Sequence, residues 1–224
     1  MGRAVFLIAV GLAGTAILVA LGIWQVQRLA WKQDLLTRIE TEIAADPVSL
    51  GEDLPRYAPV EVSGQFASGH IRMLASRKSI GPVYRVIRPF EADWQGRILI
   101  DTGWLREGTP VPDVSSAPVS IVGNVDTPNE SDVFTPAPDL DRNIWFAREV
   151  PAMAEALGTQ PIFVVLRDLP DIDVGVTPWP VDTVGIPNDH LQYAITWFSL
   201  AAIWVAMTCY FIWRTRANHE GPEK

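Results

Sequence analysis

His190 is the side chain of this sequence best placed to do chemistry. It stands in Pro187-Asn188-Asp189-His190-Leu191, directly before an uncharged run from Leu191 to Trp213. Asn188 or Asp189 can cap a helix there, which leaves His190 in the first turn with a neutral imidazole to offer as a ligand. Tyr193, Ala194 and Trp197 follow at i+3, i+4 and i+7, the spacing of a shared helical face. The pattern is one nitrogen ligand above an aromatic, uncharged groove. A second uncharged run, Ala4 to Trp24, closes in Trp24, Gln25, Arg28, Trp31 and Lys32. If the two runs lie side by side, these residues arrive at the same depth. Arg28 and Lys32 then face the carboxylates of an amphipathic ligand whose body lies in lipid. Haem has that shape, with a flat apolar ring, two propionates and an iron that takes an axial imidazole.

Each of these residues also has a plainer reading. A histidine at a membrane interface is commonly a solvated flank. Trp24, Trp31, Trp179 and Trp197 suit an aromatic belt, and Arg28 and Lys32 suit head-group anchors. His70, beside Gly69, reads as a surface histidine, and Cys209 as a packing residue. Asp189-His190 has no nucleophile near it in sequence. There is no P-loop, no GxGxxG after a strand, no HExxH and no GxSxG, so nucleotide chemistry and hydrolysis have no motif to rest on. The expectation is a protein that is not an enzyme, without a catalytic residue.

The elements that position these residues are two candidate membrane spans. Each uncharged run covers a hydrocarbon core of about 30 Å at about 1.5 Å per residue. The first is longer than a signal-peptide core, and only Ala20-Leu21-Gly22 resembles a cleavage site, so an uncleaved anchor is expected. Arg3 before the first span and Arg214 and Arg216 after the second place both termini in the cytoplasm by the positive-inside rule. Arg28 and Lys32 oppose this, but long domains cross largely regardless of charge. The expected organisation is a transmembrane helix at 4–24, a helical extension at 25–46, an extracytoplasmic domain at 47–190, a transmembrane helix at 191–213 and a cytoplasmic tail at 214–224. The expected location is a bacterial inner membrane, because no Arg/Ser-rich transit segment precedes the first span. The short tails leave no room for a sensor's output domain, and two helices do not enclose a solute path.

The chain has 224 residues, of which 20% are charged and 48% hydrophobic, with a net charge of −8. Residues 25–190 carry 14 Lys/Arg against 24 Asp/Glu, an acidic balance that argues against a nucleic-acid partner. A single cysteine excludes an internal disulfide framework and a CxxCH haem attachment. Leu29, Leu36, Ile39 and Ile43 continue the first helix until Asp46-Pro47. Strands are expected at Val60–Val62, His70–Ala75, Val83–Phe90, Arg97–Asp101, Val119–Val125, Ile144–Arg148 and Ile162–Leu166, with a hairpin turn at Gln95-Gly96. The last strand is apolar enough to be buried on both faces. Pro151–Leu157 reads as a short helix ended by Gly158. Asp126–Arg142 reads as a long surface loop, and Asp168–Pro187 as a Pro- and Asp-rich linker. The fold class is a membrane protein with two transmembrane helices flanking an α+β domain. That domain is mainly antiparallel β, about six strands, with an open barrel as one form.

Taken in order, these residues resemble the surfeit locus protein 1 family. Gly22-Ile23-Trp24-Gln25-Val26-Gln27-Arg28 with Lys32 resembles the segment that closes its first span. Gly81-Pro82-Val83-Tyr84 leading to Pro89-Phe90 resembles its central strand. Ile98-Leu99-Ile100-Asp101-Thr102-Gly103-Trp104 resembles a strand usually written with Asn-Arg-Gly, from which Asp101-Thr102 departs. Asn143-Ile144-Trp145-Phe146 and Met153-Ala154 resemble the segment around its short helix. Asn188 to Phe198 is the most specific block. The resemblance implies a cytochrome c oxidase assembly factor that binds haem a through the histidine matching His190 and aids its insertion into the catalytic subunit I. Trp24, Gln25, Arg28, Tyr193 and Trp197 are the cofactor-binding candidates around it. Haem A synthase and membrane lipid are further expected partners. A membrane-anchored scaffold that stabilises oxidase subunits without touching haem uses the same fold and is the alternative.

Overall fold

The computed structural model describes residues 2–51, 53–78, 80–168 and 173–217. Part of the linker expected at 168–187 and part of the tail expected at 214–224 therefore lie outside the described residues. The elements run α1 (Gly2–Ile43), β1 (Val48–Ser49), β2 (Pro59–Phe66), β3 (Ile71–Arg77), β4 (Gly81–Ala92), β5 (Gly96–Arg106), β6 (Val119–Asp126), β7 (Ile144–Trp145), α2 (Val150–Leu157), β8 (Phe163–Asp168) and α3 (His190–Ala217). They form two compact units. One holds residues up to 38 and from 184 onward, the other residues 39–183.

In the first unit α1 and α3 are long and apolar enough to cross a membrane, over Val5–Ile43 and His190–Thr215. Their most apolar windows have mean hydropathies of 2.5 and 1.8, and only 11% and 6% of those windows is buried, so the apolar side chains face outward rather than into a core. Helix α1 passes through Trp24 without a break because no Gly or Pro interrupts it between Gly22 and Pro47.

The second unit begins with the last turn of α1. A helix end leaves carbonyls without partners, and here Asn124 Nδ2 donates to the Ile43 carbonyl at 3.0 Å and Arg167 Nη1 at 2.9 Å. Among the described residues the domain is one eight-stranded sheet in the order β1-β2-β6-β8-β5-β4-β3-β7. Most pairings among the described residues are antiparallel, as expected, but the sheet is mixed, with β1–β2, β3–β7 and β5–β8 parallel, and the two-residue strands β1 and β7 add to the six or so expected. The crossover through α2 makes the last of these possible, since it returns the chain to the same end of the sheet before β8 begins. A further contact of β2 with β4 over Gly64–Phe66 bends the sheet back on itself without making a clear barrel.

Strand β8 lies between β6 and β5 and is buried on both faces, as its apolar run predicts. Val164 and Leu166 join one core with Phe66, Phe90, Ile98 and Ile100. Phe163 and Val165 join the other with Ile87, Leu99 and Met153 of α2. The alternation follows from the strand's two-residue repeat. Helix α2 ends where Gly158 turns left-handed at φ 63°, and its N–H reaches back to the last carbonyls of the helix.

The β4–β5 pairing slips by one residue between Val86 and Ile87, leaving Thr102 as the extra residue of a bulge. Its hydroxyl donates to the Val86 carbonyl at 2.9 Å, inside the protein. Gly103 follows at φ 131°, with the Thr177 carbonyl 2.2 Å from where a Cβ would stand. Thr177 bonds the Trp104 backbone in both directions, at 2.8 and 2.9 Å, so this part of the expected linker is strapped to the sheet.

Candidate functional site

The geometry of the helical unit starts with glycine. Gly11, Gly14 and Gly22 of α1 face Thr208, Trp204 and Phe198 of α3 in reverse order, so the helices run antiparallel. A Cβ at these positions would stand 2.3, 2.4 and 2.7 Å from those side chains, which would have to shift to admit it. Trp204 Nε1 also donates to the Gly11 carbonyl at 3.1 Å.

One turn beyond Gly22 the same seam brings Gln25 to His190. Gln25 Oε1 lies 2.8 Å from His190 Nδ1, and Gln25 is only 8% exposed. The pairing joins residues at the far ends of the sequence. His190 is the first residue of α3, and the Asp189 carbonyl accepts the Tyr193 N–H at 3.1 Å. Asn188 Oδ1 is enclosed and has no hydrogen-bond partner, so it does not act as the helix cap.

The other candidates divide between two surroundings. Ala194 is buried and Trp197 half-buried, on the inward side of α3, and the indole Nε1 of Trp197 is enclosed with no acceptor. Tyr193 points outward and is 54% exposed, off the inward side despite its spacing from His190. Trp24 and Trp31 are also exposed. The Arg28 guanidinium carbon lies over the Trp31 ring, 3.9 Å from its centroid. Lys32 is half-buried.

This set suits an amphipathic ligand with a metal at its centre. His190 has its Nδ1 engaged, the usual arrangement of a ligating imidazole whose other nitrogen bonds a carbonyl. Trp197 adds an indole donor lacking an acceptor, and Arg28 a cation. Exposed Trp24 and Tyr193 supply flat apolar area.

The domain holds polar features that sequence reasoning did not find. Asp101, part of the strand segment noted only for its departure from the family pattern, is completely buried, and its carboxylate accepts from Arg85 Nε at 2.6 Å. Burial pushes the Asp101 carboxyl above its ordinary value, against the downward pull of Arg85. Arg85 also donates to the Trp179 carbonyl at 3.1 Å and lies 4.5 Å from that indole's centroid. Arg148 bridges Asp126 at 3.1 Å and Glu130 at 2.5 Å. Burial acts to raise the Glu130 carboxyl, but its hydrogen bonds and charge contact with Arg148 prevail and hold it below the ordinary range. His70 is held below the ordinary histidine value by burial and by the Arg88 and Arg72 charges. A cleft of about 820 Å³ in the domain runs beside Trp94, Gln160 and Phe163, and no imidazole lines it.

A sequence model of the SURF1 family matches residues 12–202, a range that holds both Gln25 and His190. Surfeit locus protein 1 of Rattus norvegicus is 29% identical over 214 residues, covering 81% of this chain and 68% of that protein. Surfeit locus protein 1 of Homo sapiens is 30% identical over 210 residues, covering 81% and 69%. The SURF1-like protein of Rickettsia bellii is 28% identical over 221 residues, covering 92% and 90%.

Proposed function

Because the chain belongs to the SURF1 family, we propose that it is a cytochrome c oxidase assembly factor that carries haem a as cargo and aids its insertion into subunit I. The observation that carries the reading is His190 hydrogen-bonded through Nδ1 to buried Gln25 at the start of an apolar helix. The remaining nitrogen, Nε2, is then the one that ligates. Bound haem would supply an iron that takes an imidazole nitrogen, and His190 would hold it. The Arg28 guanidinium would hold a propionate. Trp24 and Tyr193 cover the ring with their exposed aromatic faces. None of these groups moves a proton or attacks a bond, which suits a carrier rather than an enzyme.

The two apolar helices act as membrane spans in this reading, with both termini cytoplasmic and the domain on the periplasmic side of a bacterial inner membrane. Arg214 lies at the C-terminal end of α3, and basic residues favour the cytoplasmic side. Haem A synthase is the donor partner and the oxidase catalytic subunit the acceptor. The test is an absorption spectrum of the full chain purified from cells that make haem a. A bound haem a spectrum at near one per chain is expected. A colourless chain at full haem supply would make it a scaffold for oxidase subunits instead.

A further inference from the structure

We infer that Gln25 is a positioning residue that fixes the tautomer of His190, and that the glycine seam between α1 and α3 sets this bond. The inference rests on the reading of His190 as the haem ligand for its use, but not for its geometry.

The chemistry is short. Gln25 Oε1 accepts and cannot donate, so at 2.8 Å the proton of the pair sits on His190 Nδ1. A neutral imidazole has one N–H, so Nε2 keeps its lone pair. A buried amide needs a partner, and Gln25 at 8% exposure has little water to turn to. Gln25 is the ring's hydrogen-bond partner among the described residues. Without it the proton is free to move to Nε2, where it blocks ligation. The bond also makes Nε2 a stronger base toward a metal.

The register is equally specific. Gln25 lies one turn after Gly22, whose Cβ position is 2.7 Å from the Phe198 ring. A slide of one residue moves a helix by about 1.5 Å and takes a 2.8 Å contact out of bonding range. Ligand strength is thus tied to close approach of the helices, and a partner helix that parts them weakens the ligand by freeing its tautomer.

The test uses the full chain without haem, in lipid nanodiscs, with ¹⁵N-labelled histidine. The chain has three histidines, and the His190 signals are those lost in His190→Ala. Wild type should show a protonated Nδ1 and an unprotonated Nε2. Gln25→Leu and Gly22→Leu should both move the proton toward Nε2, and Gln25→Glu, which keeps an accepting oxygen, should keep Nδ1 protonated. A protonated Nε2 in the wild type overturns the inference without any variant, and so does a wild-type pattern in Gln25→Leu. A haem a titration then separates the two ideas. Gln25→Leu should weaken binding roughly 10-fold or more. If His190→Ala binds haem as wild type does, the ligand reading fails while the tautomer result stands.

Discussion

Asp101→Leu should be among the most damaging single changes in the domain. Asp101 is fully enclosed and Arg85 only 10% exposed on the side chain, so removing the carboxylate strands a guanidinium in a nearly dry site. Breaking one partner out of a buried pair costs about 3–5 kcal/mol. At about 3 °C per kcal/mol for a domain of this size, the melt should fall by roughly 10–15 °C. Arg85→Met/Asp101→Leu together removes both charges and leaves an apolar pair. Relative to Asp101→Leu, what is then lost is the Arg85 bond to the Trp179 carbonyl, about 1 kcal/mol, and its contact with that ring, about 0.5–1 kcal/mol. The double variant should therefore be more stable than Asp101→Leu by about 2–3 kcal/mol. Near-UV circular dichroism melts of the full chain in detergent at neutral pH measure all three proteins. A double variant no more stable than Asp101→Leu would refute the reasoning, because the stranded charge would not be the source of the loss.

Gly22→Leu should lower bound haem roughly 10-fold while leaving the domain's melt unchanged, read from the absorbance of purified protein and from circular dichroism. His70 makes stability fall with acid. Its folded value lies below the ordinary 6.5, so as pH drops through that value the unfolded chain binds a proton that the folded chain refuses. His70→Asn should flatten melting temperature against pH between about 6.5 and 5, and an unchanged slope would count against the assignment. Reporter fusions at residue 100 and after residue 216 should report the periplasm and the cytoplasm, and a cytoplasmic signal at residue 100 would reverse the proposed topology.

Much of the fold was legible because its determinants are local. Long uncharged runs mark α1 and α3, Gln95-Gly96 marks the β4–β5 turn, and Pro151 with Gly158 brackets α2. The three parallel pairings were not legible, since a strand's own residues do not name its neighbour. Val48-Ser49 and Ile144-Trp145 are too short to show a period at all. The linker's strap depends on a bulge at Thr102 and an open Cα at Gly103, which single-strand alternation does not reveal. At the site, His190 stood out by type and position, and Gln25 by its place beside Trp24. Their bond did not, because it spans 165 residues and follows from the seam through Gly11, Gly14 and Gly22. Those glycines were the available signal. Tyr193 shares helical spacing with His190 yet faces outward, because the seam narrows the inward side to Ala194 and Trp197.

The most direct test of the central claim is haem a content of wild type, His190→Ala and His70→Ala, purified in parallel from cells that make haem a. Residue 190 is at a helix start and half-buried, so alanine there removes a ligand without opening a core cavity. Near one haem a per chain is expected in wild type and His70→Ala, and loss of most of it in His190→Ala, with all three proteins inserted in the membrane at equal levels. Full haem content and an unchanged spectrum in His190→Ala would contradict it.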